Sequence, residues 1–281
     1  MVKIVYVNDE YVSASDAKIS IFDRGLLFGD SVYEVIPVYN GQVFLADRHI
    51  ARLNSSLTKA RIAIPDREWL PLFAELIRQN GSGDMQIYVQ VTRGNQGLRK
   101  HDIPAVIKPT IFAFTLHMPY PVTENAQRGL HAKIVEDTRW LRCDIKTTAM
   151  LANVLLNDDA VSAGFDTALL TRQGYVSEGS ASNVFIVSEN DEIITPPLNN
   201  LCLPGITRQI ILELLATLNL PAREALIPVQ DLFSAQEIWI TSTTKEIYPV
   251  TRINSHQVGD GVAGEIWYKL HKHYQQLVKT L

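Results

Sequence analysis

The stretch from Val32 to Leu45 constrains the fold more than any other. Val32 to Tyr39 is a largely apolar run, Asn40-Gly41 interrupts it, and Val43 to Leu45 resumes it. Asn-Gly tolerates the positive φ angles that a two-residue hairpin turn demands, so this is a β-hairpin. A second hairpin is predicted at the N-terminus, with Ile4 to Val7 and Tyr11-Val12 joined at Asn8-Asp9.

Helical spacing then takes over. Ile50, Leu53 and Leu57 recur on one face of a helix predicted from Asp47 to Arg61, and a second helix follows Pro65, from Asp66 to Arg78. Ile87, Val89 and Val91 alternate with polar neighbours as a half-buried strand, and Pro109 to Leu116 forms another. Pro119-Tyr120-Pro121 favours an extended connection. It divides the chain into an N-terminal domain (1–118), a linker (119–124) and a C-terminal domain (125–281) that carries Lys146. The C-terminal part alternates further strands with helices near 149–163, from Gly205 and near 264–278. Mixed elements in both halves, without regular βαβ alternation, predict an α+β protein of two domains.

Composition removes several function classes. The 281 residues are 46% hydrophobic and 20% charged, an ordinary globular balance. With 26 basic and 30 acidic residues the net charge is -4, and no basic block invites nucleic acid. The seven histidines form no ligand-spaced cluster, so no metal is expected. Cys143 and Cys202 lack zinc or CxxC spacing and read as free thiols. No apolar run is long enough to span a bilayer, and no leader is apparent. The expectation is a soluble, cytoplasmic protein.

Five segments carry residue types suited to chemistry. Lys146, in Cys143-Asp-Ile-Lys146, stands alone between Lys133 and Lys245 just before a helix. A lysine that forms a Schiff base must lose its proton part of the time, and burial favours that. Glu178 ends a strand and precedes Gly179-Ser-Ala-Ser-Asn183, where Ser180, Ser182 and Asn183 are polar handles. In Leu203-Pro-Gly-Ile-Thr-Arg208, the amides of Gly205, Ile206 and Thr207 open a helix and make an anion site. Thr241-Ser-Thr-Thr244 is a hydroxyl cluster, with Ser242 and Thr243 at its centre. Arg52, on the helix with Ile50 and Leu53, is either a solvated side chain or a phosphate clamp. Taken singly, each segment is more often a surface lysine, a turn or a helix cap.

Together these pieces, in this order, resemble the fold-type IV aminotransferases, which include D-amino-acid and branched-chain aminotransferases and aminodeoxychorismate lyases. The likeness runs from Asp23-Arg-Gly-Leu-Leu-Phe-Gly-Asp30 through His49-Ile-Ala-Arg-Leu53, Lys146, Glu178-Gly-Ser-Ala-Ser-Asn183 and Gly205-Ile-Thr-Arg208 to Thr241-Ser-Thr-Thr244. It implies pyridoxal 5′-phosphate (PLP) held by Lys146 as a Schiff base. It implies Glu178 at the pyridine nitrogen, with Arg52, Ser182, Asn183, Leu203, Gly205, Ile206, Thr207, Ser242 and Thr243 around the cofactor. The D-amino-acid group is the most similar. There Tyr33 and the Arg99-Lys-His101 loop correspond to a grip on the substrate carboxylate, the loop reaching in from a second subunit of a homodimer. The implied substrates are D-alanine, D-glutamate or D-aspartate with pyruvate or 2-oxoglutarate, in a ping-pong reaction. A branched-chain L-aminotransferase, an (R)-amine transaminase, a lyase sibling and a PLP-binding regulatory protein are the alternatives. Pro37 and Ala181 depart from the residues usual in the D-specific group, and both bear on side-chain preference and secondary hydrogen bonding.

Overall fold

Both N-terminal hairpins form, and their turns show why. Asn8 and Asp9 take φ of 47° and 76°, and Asn40 and Gly41 take 50° and 80°. Two successive positive φ angles match the right-handed twist of the strands they join. The structure is a computed structural model that describes residues 3–81, 83–117, 120–121 and 126–280. It divides into two units, Met1–Pro119 with Ile145–Met150, and Tyr120–Asp144 with Leu151–Thr280. Apart from Tyr120 and Pro121, the predicted linker 119–124 lies outside the described residues.

The first unit holds strands β1 (Ile4–Val7), β2 (Glu10–Ser13), β3 (Ser31–Tyr39), β4 (Gln42–Val43), β5 (Met85–Thr92) and β6 (Thr110–Leu116). They form an antiparallel sheet in the order β2-β1-β6-β5-β3-β4. Period-two alternation sends Val32, Glu34, Ile36 and Val38 to one face, opposite Val91, Val89, Ile87 and Met85 of β5. Helices α1 (Arg24–Phe28), α2 (Ala46–Ala60) and α3 (Trp69–Asn80) belong to the same unit. Leu53 and Leu57 of α2 and Trp69, Leu72, Phe73 and Leu76 of α3 bury in one cluster with that strand face.

Three details depart from expectation. The return strand of the second hairpin stops at Val43, because Leu45 turns left-handed (φ 51°) and opens α2. Helix α3 starts at Trp69 rather than Asp66, since Arg67 is drawn to the Tyr6 hydroxyl and to Asp9 Oδ1 (2.6 Å) while Glu68 stays extended. The third concerns the domain division, which placed Lys146 in the C-terminal domain. Ile145 joins the core of the first unit, and Lys146 C=O accepts from Tyr33 N–H at 3.0 Å. Segment Ile145–Met150 thus belongs with the N-terminal residues.

The second unit is built on β7 (Leu130–Glu136), β8 (Thr167–Arg172), β9 (Tyr175–Gly179), β10 (Asn183–Val187), β11 (Ile193–Thr195), β12 (Ala222–Glu224), β13 (Glu237–Ser242), β14 (Glu246–Ile253) and β15 (His256–Gln257). Their order is β12-β11-β10-β13-β14-β7-β8-β9, with β15 on β14. β9 and β10 are five places apart in the sheet, about 24 Å if it were flat. Only Ser180, Ala181 and Ser182 connect them, and Gly179 N–H meets Ser182 C=O at 2.7 Å. Four peptide steps reach at most about 14 Å, so the sheet must curl back on itself. Its interior is aliphatic, with Leu169, Val184, Ile186, Ile238 and Ile240 at its centre. Helix α4 (Leu151–Val161) packs Leu156 and Ala160 on Ala168 and Leu170 of β8. Helices α5 (Ile206–Thr217), α6 (Asp231–Ser234) and α7 (Glu265–Lys279) complete the unit. Strands and helices are mixed in both units, as the α+β reading requires.

Candidate active site

In the first unit, Lys146 lies over Tyr33, with Nζ 4.3 Å from the ring centroid. The backbone makes this pair: Thr147 bridges Val32, and Lys146 C=O receives Tyr33 N–H. Tyr33 also stacks on Tyr88 (5.5 Å), and its hydroxyl donates to Met150 Sδ at 3.1 Å. The amine and the phenol are therefore neighbours, on the strand face opposite Glu34.

Glu34 was not anticipated. It is fully buried on the core face, and α2 supplies its partners one turn apart. Arg52 donates Nε to Oε2 (2.8 Å) and Nη2 to Oε1 (2.6 Å), and His49 Nδ1 lies 3.2 Å from Oε1. Burial alone would raise the Glu34 pKa, but Arg52 and His49 outweigh it and hold the carboxyl well below the usual range. Burial pushes His49 the other way, below its ordinary value, so the neutral ring presents its N–H to the carboxylate. Arg52 is thus a buried, oriented guanidinium, which rules out the solvated reading. A carboxylate in a strand register otherwise apolar was the available signal, since a buried charge requires a partner.

Arg99 and His101 are exposed and gather on Phe28. The Arg99 guanidinium carbon is 5.4 Å from the ring centroid, and the His101 ring is 5.2 Å away. Among the described residues, no contact joins this pair to Lys146 or Tyr33.

In the second unit, Glu178 is the penultimate residue of β9 and is 6% exposed. Arg139 Nη1 donates to its Oε1, and Leu203 N–H donates to Oε2 at 3.0 Å. Arg139 is shared, because its Nε and Nη2 also hold Asp137 at 2.9 Å each. Burial raises the Glu178 pKa, Arg139 and the Leu203 amide pull it down, and Asp137 pushes it up again, with a net upward shift. Asp137 and Arg139 were missed as site residues, since an ion pair 39 residues apart leaves no local pattern.

The remaining candidates lie at the start of β10, at the start of helix α5 and at the end of β13. Asn183 donates to Leu203 C=O at 2.9 Å, and a Cβ on Gly205 would collide with Asn183 Oδ1. Gly205 is therefore required there, and it opens α5 so that the amides of Ile206 and Thr207 begin the helix. Ser182 Oγ lies where a Cβ on Gly179 would fall. Thr241 pairs with Asn183 across β10 and β13, and its buried hydroxyl has no hydrogen-bond partner. Ser242 accepts from Lys245 N–H at 3.1 Å, so its hydroxyl closes the turn that also holds Thr243. A helix N-terminus, an unpartnered buried hydroxyl and a buried carboxylate are a donor and acceptor set that fits a phosphorylated pyridine. Among the described residues, no group of three His, Cys, Asp or Glu is placed to hold a metal.

Residues 31–253 match the amino-transferase class IV family, and the chain belongs to it. It is accordingly an aminotransferase, of a family that works with PLP. Among individual proteins, the chain is similar to the D-alanine aminotransferase of Bacillus licheniformis, at 39% identity over 93% of this chain and 92% of that one. It is also similar to the D-alanine aminotransferase of Listeria innocua, 39% identical over 98% and 96%. Two solved structures share the fold. The branched-chain amino acid aminotransferase of Escherichia coli superposes with a TM-score of 0.91 at 25% identity, covering 99% of this chain and 95% of that one. A second branched-chain amino acid aminotransferase, solved with pyridoxamine 5′-phosphate, gives 0.90 at 26% identity, covering 99% and 94%.

Proposed function

We propose that the protein moves the amino group of a D-amino acid (D-alanine, D-glutamate or D-aspartate) to 2-oxoglutarate or pyruvate in a ping-pong reaction. The observation that carries this reading is the identity to D-alanine aminotransferases, 39% over nearly the whole chain, against 25–26% for the two branched-chain structures. PLP, when bound, supplies an electron sink that lets the substrate Cα proton leave. Lys146 holds the cofactor and then carries that proton as base and acid. Glu178 keeps a proton on the pyridine nitrogen. Arg52, the Gly205, Ile206 and Thr207 segment and the Ser242 and Thr243 turn bind the phosphate, and Leu203 holds Glu178 at the ring through its amide. Ser182 and Asn183 orient the ring. Tyr33, Arg99 and His101 grip the substrate carboxylate by charge-assisted bonds. With the carboxylate pinned on that side, the proton reaches Cα from one face only, which selects the D enantiomer.

A homodimer is part of this reading, with Arg99 and His101 acting in the partner's site. Exposed apolar side chains support self-association: Ile21, Phe22 and Leu26 in the first unit, and Leu151, Val154 and Leu155 on α4 in the second. A cytoplasmic location is supported by the thiols. Cys143 and Cys202 are free and buried, with burial pushing them up to about 11 and about 12. Among the described residues, no helix is long and apolar enough to cross a membrane.

The test is direct. Purified protein with D-alanine and 2-oxoglutarate should release pyruvate, and borohydride should fix the cofactor to the peptide containing Lys146. A preference for L-leucine or L-valine over every D-amino acid would transfer the chain to the branched-chain reading. Arg99→Ala should raise KM for D-alanine by about tenfold or more, the loss of one charge-assisted contact.

A further inference from the structure

The Asp23-Arg-Gly segment has no part in the chemistry proposed above, yet Arg24 is only 4% exposed. Its local setting holds it still. Asp23 caps α1 by accepting Gly25 N–H at 2.8 Å, and it also accepts from the Thr92 hydroxyl at 3.0 Å. A Cβ on Gly25 would come within 2.5 Å of Thr92, so only glycine lets α1 sit this close to β5. Arg24 N–H donates to Gly94 C=O at 2.9 Å, which fixes the start of the loop that carries Arg99 and His101.

The guanidinium then reaches along that loop. Nη1 donates to Lys100 C=O (2.7 Å), Asp102 C=O (3.2 Å) and Gln96 Oε1 (3.1 Å), and Nη2 donates to His101 C=O (3.1 Å). Nε is held by Asp30 Oδ2 at 2.7 Å. Five acceptors surround a group that carries five N–H donors. Three consecutive carbonyls converge on one cation, and the loop has no strand or helix of its own to impose that curvature. Asp30 is anchored in turn by Arg93, whose Nη1 and Nη2 also reach the C-terminal carbonyls of α2 at Arg61 and Ala60. The same helix α1 offers Phe28 as the platform on which Arg99 and His101 rest.

We propose that Arg24 is a positioning residue for substrate recognition: it shapes the Lys100–Asp102 backbone so that Arg99 and His101 are held ready for a carboxylate. This rests on the reading of Arg99 and His101 as the carboxylate grip. A role confined to balancing Asp30 would be met by any cation. Lysine is a compact point charge that can pair with Asp30 but cannot span three carbonyls.

The experiment compares Arg24→Lys, Arg99→Ala and the double variant in the holoenzyme. Arg24→Lys is expected to raise KM for D-alanine by roughly tenfold, since misplacement of a binding group by about 1 Å has effects up to 10²-fold. Its kcat should stay within about twofold, its cofactor absorbance should be unchanged, and amide exchange should quicken at residues 96–102. Added to Arg99→Ala, it should raise KM by clearly less than it does alone, because only the His101 part of the grip is left for it to misplace. An unchanged KM in Arg24→Lys beside a raised KM in Arg99→Ala overturns the positioning role alone, as does a fully multiplicative double variant. An unchanged KM in Arg99→Ala overturns the carboxylate reading beneath it. If Arg24→Lys does not fold, Gln96→Ala decides. It removes one link between Arg24 and the loop, and it should raise KM by about two- to fivefold. No rise there overturns the proposal.

Discussion

Glu34 and Glu178 are both buried carboxylates, each paired to an arginine, and they titrate in opposite directions. Burial raises both. Arg52 and His49 act on Glu34 without a competing acid in its immediate set, and its pKa falls. Arg139 is divided between Glu178 and Asp137, the Asp137 charge adds to burial, and the Glu178 pKa rises. A salt bridge thus has no fixed effect on a carboxylate. The sign depends on the balance between burial and all the charges and hydrogen bonds around the group: burial leads at Glu178, with Asp137 adding a little, while two partners overcome it at Glu34. Glu34 is built to hold Arg52 in one orientation. Glu178 is under-compensated, and in the reading proposed above the protonated pyridine nitrogen would supply the further positive charge that relieves it.

The sharpest test of the contrast is stability. Glu34→Gln leaves Arg52 buried without its counter-charge and should cost about 3–5 kcal/mol in urea unfolding. Glu178→Gln removes a carboxylate that folding holds unfavourably, and Arg139 keeps Asp137. It should change stability by less than about 1 kcal/mol, while turnover falls roughly 10²-fold for want of a charged partner at the ring nitrogen. Equal stability losses would erase the distinction.

Arg52→Ala comes next. It exposes Glu34 to burial without a cation and removes the phosphate donor proposed above, so both stability and PLP retention should fall. Retention is expected to drop by at least about tenfold, with saturated turnover little affected. Adding Glu34→Gln should restore much of the stability but none of the PLP affinity. If both recover together, Arg52 acts on the cofactor only through the fold.

The two carboxylates also separate with pH. Glu34 has a depressed folded pKa, so its stabilisation is present above the unfolded value of about 4.3 and is lost as pH falls below it. The stability gap between wild type and Glu34→Gln should therefore close on acidification. Glu178 has a raised folded pKa, so the folded state binds its proton more tightly. Its unfavourable contribution grows as pH rises from about 4.3 toward the folded value. The gap between wild type and Glu178→Gln should move in favour of the glutamine form over that window. Parallel curves for the two variants would contradict the assignment.

This contrast also marks what the sequence made legible. Local signals were read well. Asn40-Gly41 named its turn, and the stripe from Ile206 to Leu215 named α5, because turn geometry and helical spacing involve neighbours in the chain. The short helix Arg24–Phe28 was missed, since five residues give no periodic stripe and its definition comes from the Asp23 cap and the left-handed Gly29. Strand β12 was missed because it is exposed throughout and exists by parallel pairing with β11. The candidate site divides in the same way. Lys146, Glu178 and Gly205 stood out as segments, whereas Glu34, Arg139 and the role of Arg24 depend on contacts 18 to 78 residues apart.

The smallest expected effect isolates the sharing of Arg139. Ser177 Oγ lies 2.8 Å from Asp137 Oδ2 and 3.2 Å from Leu170 C=O, and it has one proton to give. The carboxylate is the stronger acceptor, so the hydroxyl helps to stabilise the Asp137 charge. Ser177→Ala removes that donor without touching Arg139 or Glu178. Asp137 keeps the Arg139 fork and the Arg172 contact at 3.2 Å, so the fold should lose only about 1 kcal/mol. Asp137 then pulls the Arg139 guanidinium toward itself, which lengthens the contact of Nη1 with Glu178. The Glu178 pKa should rise further, and the acid limb of the pH profile of kcat should shift upward by a fraction of a unit. The partners of Glu34 are His49 and Arg52, neither of which holds Asp137 or Glu178, so the acid closure of its stability gap should stay where it was. An unmoved acid limb together with the loss of stability would show that Arg139 serves Glu178 independently of Asp137. Burial, the leading cause of the Glu178 shift, would then set its direction without help from Asp137.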